Sequence, residues 1–187
     1  ENAWRPTNVV STSLYTHPGY GGLARGLGLA AAPVAYDYGS NTLTVTGSGF
    51  LQKSGANNDI DLSKLTFSGE GGATYTLTTA TDVDITSDTS FSATLTGADL
   101  IGVETLLNKN GTSAVSSTTY NLAAAEDWAA GADSAVTTAD LTGNGITVSN
   151  VAAPTITSAT FDAGTGALVI TGTGFLKANG ATNDIDA

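Results

Sequence analysis

The chain contains an internal repeat, and this feature constrains its fold more than any other. Residues 36–62 read YDYGSNTLTVTGSGFLQKSGANNDIDL, and residues 161–187 read FDAGTGALVITGTGFLKANGATNDIDA. The two segments align without a gap at an offset of 125 residues, and 14 of their 27 positions are identical. A period of this length is the size of a whole domain and far exceeds the unit of a solenoid. The sequence therefore predicts one complete domain followed by the start of a second domain of the same kind.

The repeat divides the 187 residues into three zones. Residues 1–32 have no counterpart in the repeat and are expected to be an N-terminal arm or linker. Residues 33–152 form the complete repeat, and residues 153–187 open a second, incomplete one. Because the chain starts without Met and ends inside a repeat, we interpret it as a segment of a longer repeat chain. The alternative is a mature subunit whose missing strands come from another chain.

Alternation of apolar and polar residues with a period of two dominates the complete repeat and predicts seven or eight short strands. Turns rich in Gly, Asn and Asp separate the strands. Short, evenly spaced strands with polar outer faces predict an all-β fold, specifically an antiparallel β-sandwich. The apolar positions are Leu43 with Val45, Leu65 with Phe67, Tyr75 with Leu77, Val83 with Ile85, Phe91 with Ala93 and Leu95, Tyr120 with Leu122, and Ile146 with Val148.

One stretch of the repeat has helical periodicity instead. Thr96 and Asp99 form a capping-box pattern, and the apolar residues that follow them have helical spacing. The pattern predicts one short helix at 98–109. A further helical turn is predicted at 123–130, where Trp128 is expected to fill the core.

The start of the second repeat, PTITSATFDAGTGALVITGTGF at 154–175, resembles the start of an immunoglobulin-like domain of the IPT/TIG type. Three other segments resemble tandem repeats of very long bacterial surface proteins of the adhesin-like or surface-layer-like kind. They are LLNKNGTS at 106–113, TYNLAAAEDW at 119–128 and GNGITVSNV at 143–151. The resemblance covers residues 33–187 and implies an immunoglobulin-like sandwich in an extracellular, cell-surface chain.

Composition disfavours several classes of function. A net charge of −11, with 6 Lys and Arg against 17 Asp and Glu, disfavours binding to nucleic acid or to an anionic membrane surface. Because there is no Cys and only one His, disulfides, thiolate metal sites, Cys nucleophiles and a His-rich metal centre are excluded. No apolar run is long enough for membrane insertion. Because no nucleophile motif or phosphate loop is present, we expect no enzymatic activity.

We predict an extracellular structural repeat that extends, packs or polymerises at a cell surface. The alternative is an adhesive module that contacts a glycan or a host surface.

Acidic turns are the candidate for a metal site. Carboxylate and amide oxygens at close spacing suit Ca²⁺, which binds six to eight oxygens. The predicted ligands are Asn58, Asp59 and Asp61 in the first repeat and Asn183, Asp184 and Asp186 in the second. Asp37 would assist if the turn folds back on the first strand. The alternative is an Asx-rich turn whose side chains bond their own backbone. For a second acidic group, Asp82, Asp84 and Asp88, we expect a solvated strand edge.

The apolar strands predicted within 156–170 have no predicted partner strands in this chain, and a two-stranded fragment is marginal in water. Their apolar face must therefore be covered, either by neighbouring repeats or by another copy of the chain. Segment 1–32 is the obvious strand donor in the second case, because its apolar pairs at 9–10 and 14–15 suit strand addition. Repeated head-to-tail donation would build a filament.

Overall fold

The structure is a computed structural model that describes residues 33–129 and 139–175. The predicted donor segment 1–32 lies outside these residues. Within the described part of the chain, the complete repeat contains eight strands and one α-helix. They are β1 Val34–Asp37, β2 Thr42–Thr46, β3 Leu65–Ser68, β4 Thr74–Thr76, β5 Ile85–Ser87, β6 Ser90–Thr94, α1 Gly97–Leu106, β7 Asn121–Ala124 and β8 Ile146–Ser149. Two longer strands follow, β9 Thr155–Asp162 and β10 Ala167–Thr173.

The strands form three sheets. Five strands pair in the order β5-β6-β2-β1-β8, three in the order β4-β3-β7, and β9 with β10 alone. Neighbours are antiparallel, with one exception among the described strands: β1 and β8 run parallel, with Val34 opposite Ile146 and Asp37 opposite Ser149. The prediction of an all-β fold is confirmed at this level, but the prediction of a purely antiparallel arrangement is wrong for this pair. Alternation along a strand records which face is buried and carries no information on the direction of its neighbour.

The five-stranded and three-stranded sheets contribute to a single apolar core. Alternate residues of β1, β2, β6 and β8 and of β3 and β7 are buried in one cluster. Trp128 is fully buried in it, and its ring centroid lies 5.6 Å from that of Phe50 and 6.3 Å from that of Phe91. The prediction that Trp128 fills the core is therefore confirmed. Aromatic rings bury large apolar areas, so this cluster contributes to the hydrophobic stabilisation of the repeat.

Helix α1 forms where the sequence predicts a helix, but it ends three residues early, at Leu106. The residues that follow are held by other elements: Asn108 donates a hydrogen bond to the carboxylate of Glu70, and the backbone N–H of Lys109 donates to the hydroxyl of Tyr120. Helix α1 packs on β3 and β4, and Gly102 allows the close approach. A Cβ atom at Gly102 would lie 2.4 Å from the ring of Tyr75.

The helical turn predicted at 123–130 is wrong for its described part. Ala123 and Ala124 belong to β7, where Ala124 pairs with Leu65, and a turn follows at Glu126 and Asp127. Alanine favours a helix intrinsically, but pairing with β3 and burial of alternate side chains outweigh a propensity worth a few tenths of a kcal/mol.

We predict that Trp128→Ala will lower the free energy of unfolding by about 3–5 kcal/mol, because it removes the largest buried ring and leaves a cavity beside Phe50 and Phe91. Urea denaturation followed by far-ultraviolet circular dichroism measures the change. Leu141→Ala at an exposed position is the matched control and should change stability by no more than about 0.5 kcal/mol. A loss of less than about 1 kcal/mol for Trp128→Ala would contradict the assigned core.

Candidate functional site

The acidic turn before β3 is built around Asp59, whose side chain is completely buried. Its Oδ1 atom accepts a hydrogen bond from the backbone N–H of Lys53, and its Oδ2 atom accepts one from the backbone N–H of Ile85 at 3.0 Å. Both carboxylate oxygens therefore have backbone donors, one from the turn itself and one from the start of β5. Asp59 thus ties the turn to the edge of the five-stranded sheet.

The two neighbours of Asp59 in the predicted metal set also have protein partners. Asp61 caps the 3₁₀ segment Leu62–Lys64, because its Oδ1 atom accepts hydrogen bonds from the backbone N–H and the hydroxyl of Ser63, at 3.0 and 2.6 Å. Asn58 donates its side-chain N–H to the carbonyl of Ser54, and its backbone N–H to Asp84, both at 3.0 Å. These contacts are those of an Asx-rich turn.

The remaining acidic residues of the prediction are dispersed. Asp37 accepts hydrogen bonds from the backbone N–H of Ser40 and from the side chain of Asn150, away from the turn at 58–61. Asp88 is exposed in the turn between β5 and β6. Within residues 33–129 and 139–175, no group of three or more His, Cys, Asp and Glu side chains is placed to hold a metal ion. The second set of ligands, Asn183, Asp184 and Asp186, lies outside the described residues, and calcium binding stays a prediction.

The most heavily hydrogen-bonded carboxylate belongs to Asp99, in the first turn of α1. Asp99 is completely buried and accepts six hydrogen bonds, from the hydroxyl of Tyr75, the backbone N–H and hydroxyl groups of Thr78 and Thr79, and the backbone N–H of Ala80. Burial by itself would raise the pKa of Asp99, but these donors outweigh it and hold the pKa well below its usual range. The sequence placed Asp99 in a capping box with Thr96; its carboxylate instead organises the loop after β4.

A second set of buried polar groups attaches the helix and the loop after it to the sheets. Glu70 is buried and accepts hydrogen bonds from the side chain of Asn108 and the backbone N–H of Ser116, both at 3.0 Å. Tyr38 donates its hydroxyl to the backbone carbonyl of Glu104 at 2.6 Å, and burial raises the pKa of both side chains. In each case the partner is another part of the fold, so these groups act as structural links.

An open groove of about 350 Å³ lies beside edge strand β5. It is lined by Phe50, Leu51, Gln52 and residues 85–88, and Asp88 is the one titratable group among them. Its lining combines apolar side chains with the hydroxyl groups of Thr86 and Ser87 and this one carboxylate.

Hydrogen bonds join the first and last strands of the repeat, β1 and β8, at the point where the chain leaves the repeat. Beyond the β1–β8 ladder, the backbone N–H of Tyr38 donates to the carbonyl of Ser149 at 3.0 Å, and Asn150 donates its side-chain N–H to Asp37 at 2.7 Å. The backbone N–H of Val151 donates to the side chain of Asn110 at 2.9 Å. The chain is therefore held where it leaves the repeat, by hydrogen bonds to the end of β1 and to Asn110.

Strands β9 and β10 reproduce the β1–β2 hairpin in the same register. Phe161 pairs with Leu168 as Tyr36 pairs with Leu43, each member displaced by the repeat offset of 125. The turns match as well, because the carboxylate of Asp162 accepts a hydrogen bond from the backbone N–H of Thr165, as Asp37 does from Ser40. Asn41 and Gly166 occupy equivalent positions and both have positive φ, 55° and 71°. Two related local sequences thus form the same hairpin.

The surroundings of the two hairpins differ completely. In the first, Tyr36, Leu43, Val45 and Phe50 are at most 2% exposed. Their counterparts are largely open to solvent: Phe161 is 67% exposed, Leu168 61%, Ile170 40% and Phe175 44%. We call the side of β9–β10 that carries Phe161, Leu168 and Ile170, together with Phe175 just after β10, the apolar hairpin face. Large apolar side chains exposed together in this way mark an interaction site.

No protein-family model, curated protein or solved structure matches this chain. In the part of the chain that the structure describes, no helix has the length and apolar character needed to span a membrane. The candidate site is therefore interpreted from its own geometry. The first and last strands of the repeat are hydrogen-bonded to each other, and the apolar hairpin face follows them in the chain.

We predict that Asp99 makes the repeat sensitive to acid. Because the folded-state pKa of Asp99 lies below the ordinary value of 3.8, its stabilising effect is complete above that pH and is lost as the pH falls below about 4. Asp99→Asn replaces an acceptor with a donor that faces other donors and should cost about 1.5–3 kcal/mol at pH 7. Urea denaturation between pH 2.5 and 7 should show a smaller loss on acidification in this variant. Asp88→Asn, at an exposed position, is the control, and equal acid sensitivity of Asp99→Asn and the unmodified chain would contradict the role.

The calcium prediction is tested by thermal melts in millimolar Ca²⁺ and in excess chelator. A cation that binds only the folded chain raises the melting temperature in proportion to the logarithm of its concentration above Kd. Asp61→Asn should abolish the difference if Asp61 is a ligand. Coincident melts of the unmodified chain would leave the acidic turn with its structural role alone.

Proposed function

We propose that this chain is a structural repeat of an extracellular bacterial surface protein and that its complete repeat is an immunoglobulin-like sandwich. In this role the repeat transmits tension along the chain and catalyses no reaction. The acidic, Cys-free composition and the domain-sized repeat agree with this role. So does the use of buried carboxylates as structural links, since Asp59, Glu70 and Asp99 all bind other parts of the fold.

The observation that carries the proposal is the parallel pairing of β1 with β8. Strand β1 begins the repeat, and β8 ends it, so a pull applied to the chain on both sides acts on these two strands. Because they run parallel, the pull is directed along the strands in opposite senses. All hydrogen bonds between them are then loaded in shear at once, and they must break together.

Side-chain contacts reinforce this pair at the exit. The Asn150–Asp37 hydrogen bond bridges the ends of the two strands, and Asn110 holds the next residue, Val151, through both its backbone N–H and its carbonyl. A separate domain that merely displayed a ligand site would not need such reinforcement where the chain leaves it. The arrangement suits a repeat that must stay folded while it is pulled from both ends.

Single-molecule pulling tests the proposal, and the absence of native Cys makes it simple to place the handles. Cysteine handles at Pro33 and Ala152, both exposed, load β1 and β8 in shear. Handles at Pro33 and Ser48, also exposed, pull the β1–β2 hairpin at its open end, where hydrogen bonds break one after another. We expect a higher unfolding force in the first geometry at the same pulling rate.

Equal forces in the two geometries, or a lower force between the handles at Pro33 and Ala152, would contradict the proposed mechanical role. Asn150→Gly is a further variant: it removes the side-chain contact with Asp37 and tolerates the φ of 61° at this position. It should lower the force in the shear geometry and leave the hairpin geometry unchanged.

The proposed location is tested separately by protease treatment of intact cells that produce the protein. A surface protein is cleaved while a cytoplasmic marker stays intact. Cleavage that occurs only after lysis would contradict an extracellular position.

A further inference from the structure

We propose that the apolar hairpin face of β9–β10 is a docking surface for the body of a second repeat of this type, meaning a polypeptide equivalent to residues 63–152. The inference rests on the structural role proposed above and names the partner that this surface requires. It follows from the internal repeat, because the two hairpins share one register, and the apolar residues that the body covers in the first are exposed in the second.

The first hairpin shows which contacts the second lacks. Phe50 packs against Phe91 of β6, with ring centroids 5.7 Å apart, and edge-on against Trp128 at 5.6 Å. Phe175 is the counterpart of Phe50 and retains the local geometry, since Gly174 before it has φ 71° and Gly49 before Phe50 has φ 73°. An aromatic residue is thus presented at the position where the first repeat inserts it into a core, and its partners would be the counterparts of Phe91 and Trp128.

The edges of the second hairpin specify the strands that would join it. In the first hairpin, β2 pairs antiparallel with β6, and β1 pairs parallel with β8. Among the described residues, no strand pairs with the outer edge of β9 or β10. Because β9–β10 keeps the register of β1–β2, we infer that a β6-type strand adds to β10 and a β8-type strand adds parallel to β9.

A second uncovered hairpin would serve this surface less well than a body. Two hairpins packed face to face would cover the apolar residues but leave the backbone edges of all four strands unpaired, and such edges promote further association. A body supplies both the edge strands and the opposite layer of the core. Among the described residues, the body of the first repeat already covers β1–β2, so it cannot cover β9–β10 at the same time.

The test extends the full chain by a second copy of residues 63–152 fused directly after Ala187, which is the counterpart of residue 62. In the first repeat, the side chains of Thr44 and Ser92 are in contact, 3.3 Å apart across β2 and β6. The counterpart of Thr44 is Val169. Val169→Cys combined with Ser92→Cys in the appended copy alone should therefore form a disulfide if the new strand adds to β10 in register, since no other Cys is present.

Thr160→Cys combined with the same Ser92→Cys is the matched control. Thr160 lies opposite Val169 on β9, so β10 separates it from a β6-type strand, and it should not cross-link. Non-reducing electrophoresis measures the cross-link. Hydrogen exchange of the β9–β10 amides in the extended chain without cysteines gives a second readout and should slow by about 100-fold or more relative to the original chain.

Cross-linking of Val169→Cys but not Thr160→Cys, together with slow exchange, would support the proposal. Absence of the cross-link, equal cross-linking of the control, or unchanged exchange would overturn it. So would concentration-dependent protection of the hairpin in the original chain, which would assign the apolar hairpin face to a second hairpin. None of these results depends on the force that the first repeat withstands, so the two proposals fail separately.

Discussion

A two-stranded hairpin cannot bury its own apolar face, and this constraint governs the whole chain. Strands β1 and β2 meet it by joining a five-stranded sheet whose inner side is part of one core with the three-stranded sheet. Strands β9 and β10 have the same register and the same turn but no such surroundings among the described residues, and Phe161 and Leu168 remain exposed. The comparison separates the formation of a hairpin, which is local, from its burial, which requires a body.

Buried carboxylates in this repeat accept hydrogen bonds from backbone N–H groups of loops, which apolar contacts alone would leave unpaired. Loops expose backbone N–H groups that need acceptors when they are covered, and an unpaired one costs about 1–3 kcal/mol. Asp99 satisfies three backbone N–H groups of the loop after β4, and Asp59 satisfies one in the loop after β2 and one at the start of β5. In a chain with few charged residues, these acids fix loops to the sheets. The acidic turn with the predicted metal ligands is one instance of this use.

The parallel β1–β8 pair links the fold to the proposed function. It closes the repeat by placing its first and last strands side by side, so a pull on both ends of the repeat would load this ladder in shear. The same pairing sends the chain onward at Val151 into β9, so that a second hairpin begins beside a fixed exit. Extension by repeats and resistance to pulling would then follow from a single topological feature.

The sequence by itself determined most of the strands, the turns between them and the period of the repeat, because alternation and turn residues act over a few neighbours. It identified the helix and the burial of Trp128 for the same reason. It could not determine that β8 runs parallel to β1, that Ala123 and Ala124 form a strand, or that Asp99 turns away from its helix cap toward the loop after β4. Those outcomes depend on groups far apart in the chain. Only the tertiary structure decided which of the equivalent hairpin positions are buried and which are exposed, since burial depends on the partner that covers a strand and not on the strand alone.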